Sequence, residues 1–410
     1  MRLSALTAAV SIFALVAACG GNGETASTMQ TGEPVETNAA NAPTQQPAFE
    51  GQTRAPGVQT TVSMTSETVA EGLESPWGLV PLPEGGFLVT EKPGRLRLVS
   101  ADGEIGEPIT GVPTVVSDRQ AGLLDVELSP DFASDRLVYL SFSEPRRGGN
   151  GTAVARGRLS EDGTRLENVE TIFSAMPTYD NFMHYGSRIV FDRQGRLYVT
   201  LGERSDIETR PQAQDLGSHF GKIVRINADG SVPADNPFVG QEGALPEIWS
   251  WGHRNVQGAA LHPGTGELWG IEHGARGGDE INIARAGENY GWPIAAYGIE
   301  YRGGAIGEGS TTAPDTVQPI YYWDPVIAPG GAVFYSGDMF PDWNGNLLVS
   351  GLAGQHLARL VLEGERVVGE ERLLTGLNAR IRDVAVGSDG AVYVVTDDQN
   401  GRLVRLRRAD

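Results

Sequence analysis

The chain has 410 residues, a formal charge of −20, a pI near 4.7, 55 glycines and a single cysteine. Such acidity argues against a nucleic-acid partner, which would require Lys and Arg clustered on one face, while leaving room for a local basic pocket. A lone cysteine excludes an internal disulfide, and a glycine-rich, Val-, Leu- and Tyr-containing composition points to a β protein with many turns.

The opening stretch, MRLSALTAAVSIFALVAAC, has one Arg, an apolar run and small residues before Cys19. That pattern is a secretory signal rather than part of a fold. Its VAAC ending resembles the lipobox of bacterial lipoproteins, which implies a lipidated Cys19 as the mature N-terminus. Gly20 in place of Asp then favours a periplasm-facing position on the outer membrane. Residues 20 to about 62 are rich in Gly, Thr, Asn, Pro and Gln and poor in large apolar side chains. They are expected to form a disordered tether, with a reach of roughly 35 Å.

From residue 70 one pattern recurs: a short apolar strand, a turn carrying Gly or Asp, and a second strand. It is read at GLVPLPEGGFLVTEK (78–92), LLDVELSPDFASDRLVYLSF (123–142) and RIVFDRQGRLYVTLGE (188–203). It returns at GAALHPGTGELWGIEH (258–273), GAVFYSGDMFPDWNGNLLVSG (331–351) and DVAVGSDGAVYVVTDD (383–398). Six copies without helical periodicity predict an all-β, six-bladed propeller over residues 63–410, with outer strands between the copies. The segment around ETVAEGL is expected to add a strand that closes the ring.

Each pair of strands forms an antiparallel hairpin, so the start of its first strand and the end of its second lie at one end of the blade. Inner strands line a propeller's channel, and residues at those two positions should gather at one mouth. Before the first strands stand Gln120, His184, the run GHRNVQG with Arg254, Asn255 and Gln257, and ARIRD with Arg380 and Arg382. After the second strands stand Glu203 and the stretch EHGARGGDEIN.

Arginines at one mouth of an acidic protein suggest an anionic ligand, since the guanidinium fork suits carboxylate or phosphate. A histidine beside them would have its pKa pushed down and could act as a neutral general base. Glycines in EHGARGGDE can turn backbone carbonyls toward a hard cation such as Ca²⁺. Zinc is not expected, because no HExxH or Cys cluster is present.

Together the strings QAGLLDVELSPDFA, HYGSRIVFDRQGRLYVTLGE, LPEIWSWGHRNVQG, EHGARGGDEINIARAGENYGWP and RIRDVAVGSDGAVYVVTD resemble the soluble quinoprotein aldose sugar dehydrogenases, the glucose/sorbosone dehydrogenase type. The resemblance spans roughly residues 68 to 408. It implies pyrroloquinoline quinone (PQQ) and Ca²⁺ at the channel mouth, and an aldose oxidised to its lactone, with electrons passed to an external quinone or small redox protein. His184 then matches the general base, Glu203 the carboxylate that orients it, and Arg254 the group that stabilises the oxyanion. Arg254, Asn255, Gln257, Arg380 and Arg382 match cofactor contacts, with Gln120 beside them on the substrate side. The carbonyls of Gly274 and Ala275 match ligands of a cofactor-bridging calcium, and Asp279, Glu280 and Tyr290 a second, structural calcium. Two departures stand out: Ala275 replaces a proline of many relatives, and GLAGQH lacks the lysine that relatives carry near Ala353. A calcium-dependent sugar lactonase and a non-catalytic sugar- or protein-binding propeller are the competing readings. A monomer is the expected state, held to the membrane only through a lipid on Cys19.

Overall fold

The computed structural model describes residues 32–409 of the chain; the signal sequence and Cys19 lie outside them. Among the described residues the strands form six antiparallel sheets, five of four strands and one of three. Their inner strands are Pro76–Pro81, Leu123–Leu128, Ile189–Phe191, Val256–Leu261, Pro329–Phe334 and Ile381–Val386, one for each repeat, in blades 1 to 6. This is the expected six-bladed propeller. The segment ETVAEGL lies in strand Met64–Leu73, which pairs antiparallel with Gly401–Arg408 at the outer edge of blade 6. The N-terminal end of the propeller thus closes its C-terminal blade. No helix among the described residues is long and apolar enough to cross a membrane.

Alternation along each strand puts apolar side chains on both faces of a blade, and neighbouring blades bury them against each other. The result is a hydrophobic cluster at every junction. Val126 and Leu140 meet Leu88 between blades 1 and 2, and Val154 meets Val199 and Val224 between blades 2 and 3. Ile223 meets Val256 between blades 3 and 4, Ile281 meets Val349 between 4 and 5, Leu348 meets Val394 between 5 and 6, and Val395 meets Val89 at the closure.

Near the axis the joints become polar. Hydroxyls on second strands accept an N–H from their own inner strand and donate to a carbonyl of the next one. Ser141 Oγ accepts from Asp125 N (2.9 Å) and donates to Ser187 O (2.6 Å); Thr200 Oγ1 accepts from Arg188 N (2.9 Å) and donates to Val256 O (2.9 Å). Thr90 joins blade 1 to Leu124 in this way, and Ser350 joins blade 5 to Arg382. Five inner strands carry an extra residue against their partner, between Pro76/Leu79, Leu123/Val126, Val256/Gly258, Pro329/Ala332 and Ile381/Asp383. In blade 3 Thr200 likewise faces both Ser187 and Arg188. Bulges of this kind bend the strand and re-aim side chains.

On the axis itself lies Arg188, its Nη1 2.7 Å from Asp125 Oδ1 and its Nη2 3.1 Å from Asp383 Oδ1, with all three residues buried. The guanidinium sits over the Trp77 ring at 4.7 Å and donates through Nε to Gln257 O at 3.2 Å. Asp383 also accepts from Leu79 N (2.9 Å), and its carboxylate fills the space where a side chain on Gly331 would stand. Blades 1, 2, 3, 4 and 6 therefore meet at one cation.

Residues 32–62 depart from the expected tether. They lie packed along blades 4 and 5, with Val58 N donating to Glu370 O (3.0 Å) and Glu370 N to Pro56 O (2.9 Å). Ala42, Gln52, Ala55 and Val58 are buried. The outer strand of blade 5 presents unpaired backbone groups, and an extended, Pro-containing segment can satisfy them without large apolar residues. Composition measures the ability to form a core, not the ability to add to an existing edge.

Breaking the axial triad should be costly, because a buried guanidinium losing half its countercharge is left uncompensated. Asp125→Ala should lower the unfolding free energy by about 3 kcal/mol, read from urea or guanidinium titration of the purified protein. A loss below about 1 kcal/mol, the scale of an exposed pair, would contradict the central role given to Arg188.

Candidate active site

The bulges and hairpin ends bring the expected residues to one mouth of the channel. His184 stands just before the inner strand of blade 3 in a left-handed conformation (φ 49°), which few non-glycine residues adopt and which marks local strain. Its backbone N donates to Gln120 Oε1 at 2.7 Å. Gly202 lies against the His184 carbonyl and the Asn255 side chain, where a Cβ would collide with both. A side chain at 202 would thus push the histidine out of place.

The His184 ring is fixed by Glu203, with Nδ1 2.7 Å from Glu203 Oε1 and both residues buried. Glu203 Oε2 accepts from Ser205 N (3.0 Å), and Glu203 N donates to Arg254 O (3.0 Å), which ties blade 3 to blade 4. With the carboxylate accepting, Nδ1 carries the proton and Nε2 keeps its lone pair. Burial first, then the nearby Arg254 charge, holds the His184 pKa below the ordinary histidine value; Glu203 opposes both without outweighing them. The imidazole is therefore neutral around pH 7 with its accepting nitrogen available.

Arg254 is buried and donates through Nη1 to the carbonyls of His273 (3.0 Å) and Gly274, and through Nη2 to Tyr301 Oη (3.4 Å). Its guanidinium also faces the Trp292 ring at 5.2 Å. Gln257 accepts from Arg382 Nη1 (3.0 Å) and donates to Gly186 O (3.1 Å), while Asn255 Oδ1 accepts from Gly186 N (3.1 Å). Three buried N–H groups here have no protein partner: Arg254 Nε, Asn255 Nδ2 and Arg382 Nε. Such donors are costly to leave unpaired, so they mark where an acceptor-rich ligand would bind. Arg380 is half-exposed at the rim and pairs with Asp397 at 3.0 Å.

The stretch EHGARGGDEIN turns out to be a clamped loop. Asp279 is buried, and its two oxygens accept from Gly274 N (2.8 Å) and Ala328 N (2.7 Å). Burial pushes its pKa up to about 7. Those bonds commit Asp279 to holding the loop. The Tyr290 hydroxyl is committed too, since it donates to Ile283 O and accepts from Arg285 N. Glu280 is different: it faces Glu272 across the strands and lines a small cavity with Glu272, Tyr290, Gly274 and Ala275. Burial, then the charge of Glu272, pushes its pKa well up. Asn282 Oδ1 is buried beside it without a partner. Among the described residues no group of three or more acids or histidines gathers to hold a metal, so a cation here would draw chiefly on backbone oxygens.

Several residues at the site were not anticipated. Lys92 follows the second strand of blade 1, in FLVTEK, two residues after Thr90 as Gly202 is after Thr200, and its Nζ donates to Arg119 O at 3.0 Å. It supplies a third rim cation near Arg380 and Arg382. His253 bridges Ser250 Oγ (2.9 Å) and Glu272 Oε1 (3.0 Å) and stacks on Tyr290 at 4.7 Å. His273 donates through Nε2 to Pro329 O at 2.6 Å, and burial drives its pKa down to about 3. The repeat phase could have found Lys92; the others depend on strand pairing that no local pattern encodes.

Fold and mouth together are those of a propeller oxidoreductase. The glucose/sorbosone dehydrogenase family matches residues 73–405, and the chain belongs to that family. The aldose sugar dehydrogenase YliI of Escherichia coli (strain K12) is 43% identical over 343 residues, which cover 83% of this chain and 92% of the relative. A crystal structure of a glucose dehydrogenase is 48% identical, with a TM-score of 0.81, covering 84% of this chain and all of that one. The PQQ-bound form of aldose sugar dehydrogenase from Streptomyces coelicolor is 30% identical, with a TM-score of 0.69, covering 85% of this chain and all of that one.

The histidine geometry has a pH signature. His184 should titrate below 6.5, its ordinary value, and Arg254→Met should move that titration upward by removing a like charge. Nitrogen NMR of histidine-labelled protein reads both, and a wild-type ring protonating at or above 6.5 would contradict the site as described. His273 bears on stability instead. Its folded pKa lies below the unfolded one, so the unfolded chain takes up the proton first, and stability falls from about pH 6.5 toward 3.

Proposed function

We propose that the protein is a PQQ- and calcium-dependent aldose sugar dehydrogenase that oxidises the anomeric carbon of an aldose to the lactone. Electrons then pass to an external acceptor, a quinone or a small redox protein. The observation that carries this reading is a neutral histidine, oriented by a carboxylate, beside three unpartnered N–H donors at one channel mouth.

The residues fit the cofactor. Asn255, Gln257, Arg254 and Arg382 would hold an anionic, carbonyl-rich quinone, with Arg380 at the rim and Gln120 on the substrate side. The carbonyl of Ala275 would serve a calcium ion there, joined by that of Gly274 through the lone pair that Arg254 leaves free, and Glu280 a second one, with Asp279 and Tyr290 shaping its surroundings. When bound, the quinone supplies a carbonyl that accepts hydride. The chain's own residues do the rest. His184 Nε2 takes the proton of the anomeric hydroxyl, and Glu203 stabilises the resulting imidazolium through Nδ1. Arg254 sets fixed positive charge beside the developing oxyanion. The absence of lysine near Ala353 leaves Lys92 as an alternative partner for a cofactor carboxylate.

A sugar lactonase would hold its metal with side chains converging on the axis. Here the axis is occupied by Arg188 with Asp125 and Asp383, which argues against that reading. A non-catalytic propeller would have no use for the strained, oriented histidine.

The test is single-turnover reduction of bound quinone by an aldose, followed optically in protein reconstituted with PQQ and calcium. His184→Ala should lose about 10²- to 10⁴-fold in rate while binding quinone and melting like wild type. Near wild-type reduction by that variant would make the histidine structural, and sugar oxidation by quinone-free protein would overturn the cofactor assignment.

Export and anchoring follow from the signal and lipobox: the enzyme is proposed to face the periplasm as an outer-membrane lipoprotein. Cys19→Ser should release it from membranes and remove the lipid mass from the mature chain. Unchanged membrane association and mass would refute the anchor.

A further inference from the structure

We infer that residues 32–58 are a strap that holds the cation-bearing loop 274–279 in its working shape, rather than a passive leader to the propeller. This rests on the calcium reading above. The strap is fixed at one end to blade 5 through Pro56, Val58 and Glu370. In its middle Gln52, fully buried, donates to Pro319 O (2.8 Å) and accepts from Tyr297 Oη (2.9 Å) and Ala48 N (2.7 Å). Tyr322 N donates back to Gln52 O at 2.8 Å, and the Tyr297 and Tyr322 rings stack at 4.1 Å.

The strap then reaches the loop through Asp324. Asn41 N and Ala42 N both donate to that carboxylate, at 2.6 and 3.0 Å, and Val326 N donates to Asn41 Oδ1 at 3.2 Å. Arg54 closes the turn by donating to Asp324 O (2.9 Å) and Glu36 O (2.8 Å). Asp324 and the Ala42 methyl together fill the space behind Gly277: a Cβ built there would lie 3.0 Å from the carboxylate and 3.2 Å from the methyl. Gly278 N donates to Trp323 O at 3.0 Å, and Asp279 reaches Ala328 N on the far side of the same 323–328 segment. The loop is thus gripped between Asp279 and the strap-held segment. Without the strap, Asp324 would lose two N–H donors and the cover of Asn41, Ala42 and Arg54, and the segment that anchors Asp279 would loosen. The carbonyls of Gly274 and Ala275 would then no longer be fixed for a cation, which must be held by several oxygens at once.

A strap that only stabilised the fold would change melting without changing cation affinity, and this separates the two roles. Trp292 lines the same cavity as Gly274 and Ala275, so terbium luminescence sensitised by tryptophan, with calcium as competitor, reports the site in the full mature chain. Ala42→Arg places a bulky cation against Gly277 and should weaken calcium binding about tenfold. Leu88→Ala, in the apolar junction of blades 1 and 2 and outside the strap, should lower the melting temperature and leave calcium affinity near wild type. Should Ala42→Arg fail to fold, Asn41→Ala, which removes only the Val326 contact, should weaken calcium binding in the same direction by a smaller factor. Equal calcium affinity in wild type and the folded Asp324-side variants overturns the strap's role. So does a loss in Leu88→Ala as large as in Ala42→Arg. A wild-type protein that takes up neither terbium nor calcium at this cavity would instead fail the calcium reading itself.

Discussion

A single buried guanidinium organises the centre of this propeller. Asp125 and Asp383 approach the axis from blades 2 and 6, and with water excluded their charges would repel strongly. Arg188 lies between them and makes the pair tolerable. Because Asp383 also accepts a backbone N–H of blade 1, and Arg188 donates to a carbonyl of blade 4, the ion triad fixes the angular position of most blades at once. A hydrophobic junction between blades is non-directional and would allow sliding; the triad and the hydroxyl joints around it do not. Replacing the triad by apolar groups could match its stability, as buried ion pairs often show, but would surrender this fixed geometry.

The mouth inherits that geometry. His184 lies four residues before Arg188, Gln257 sits between Arg188 and Arg382, and Arg382 precedes Asp383 in sequence. Each inner-strand bulge adds one residue, and in blades 4 and 6 that residue is a site residue, Gln257 or Arg382. One side chain of the inner strand then faces the channel and its neighbour faces the mouth, where an unbulged strand would turn the second away. The cost is a set of buried donors without protein partners and a histidine in a strained conformation. Both are characteristic of a surface prepared for a ligand rather than for folding alone.

Hairpin phase was readable from residue types because it depends only on strand length and turn residues. Residue order alone therefore assigns His184, Glu203, Arg254 and Gln257 to one mouth. Lys92 stands one place earlier in that phase, and nothing in its TEK marks it as a site residue. Asp125, Arg188 and Asp383 carry no such signal: they stand in three separate repeats, and only the ring closure brings them together. The strap folds despite its composition because low apolar content excludes an independent core but not an added edge. Asp279 and Tyr290 sit where expected, yet their oxygens turn to backbone groups, a choice set by the local turn rather than by residue type.

Charge distribution gives the mouth a further property. The chain carries −20 overall, so an anionic ligand approaches against the net field and gains only at short range, where Lys92, Arg254, Arg380 and Arg382 stand, with Asp397 beside the rim cations and Glu203 and Glu272 beside Arg254. A neutral sugar feels neither effect. Tight capture of a polycarboxylate therefore depends on desolvated, geometrically fixed contacts rather than on long-range steering, and these survive added salt better than rim charges do. The buried, unpartnered N–H groups of Arg254, Asn255 and Arg382 are of that kind, whereas Arg380, half-exposed and already paired, is not. Cofactor retention should accordingly be governed by the bulge-presented residues, and the same axial triad that locks the blades sets how well they are aimed.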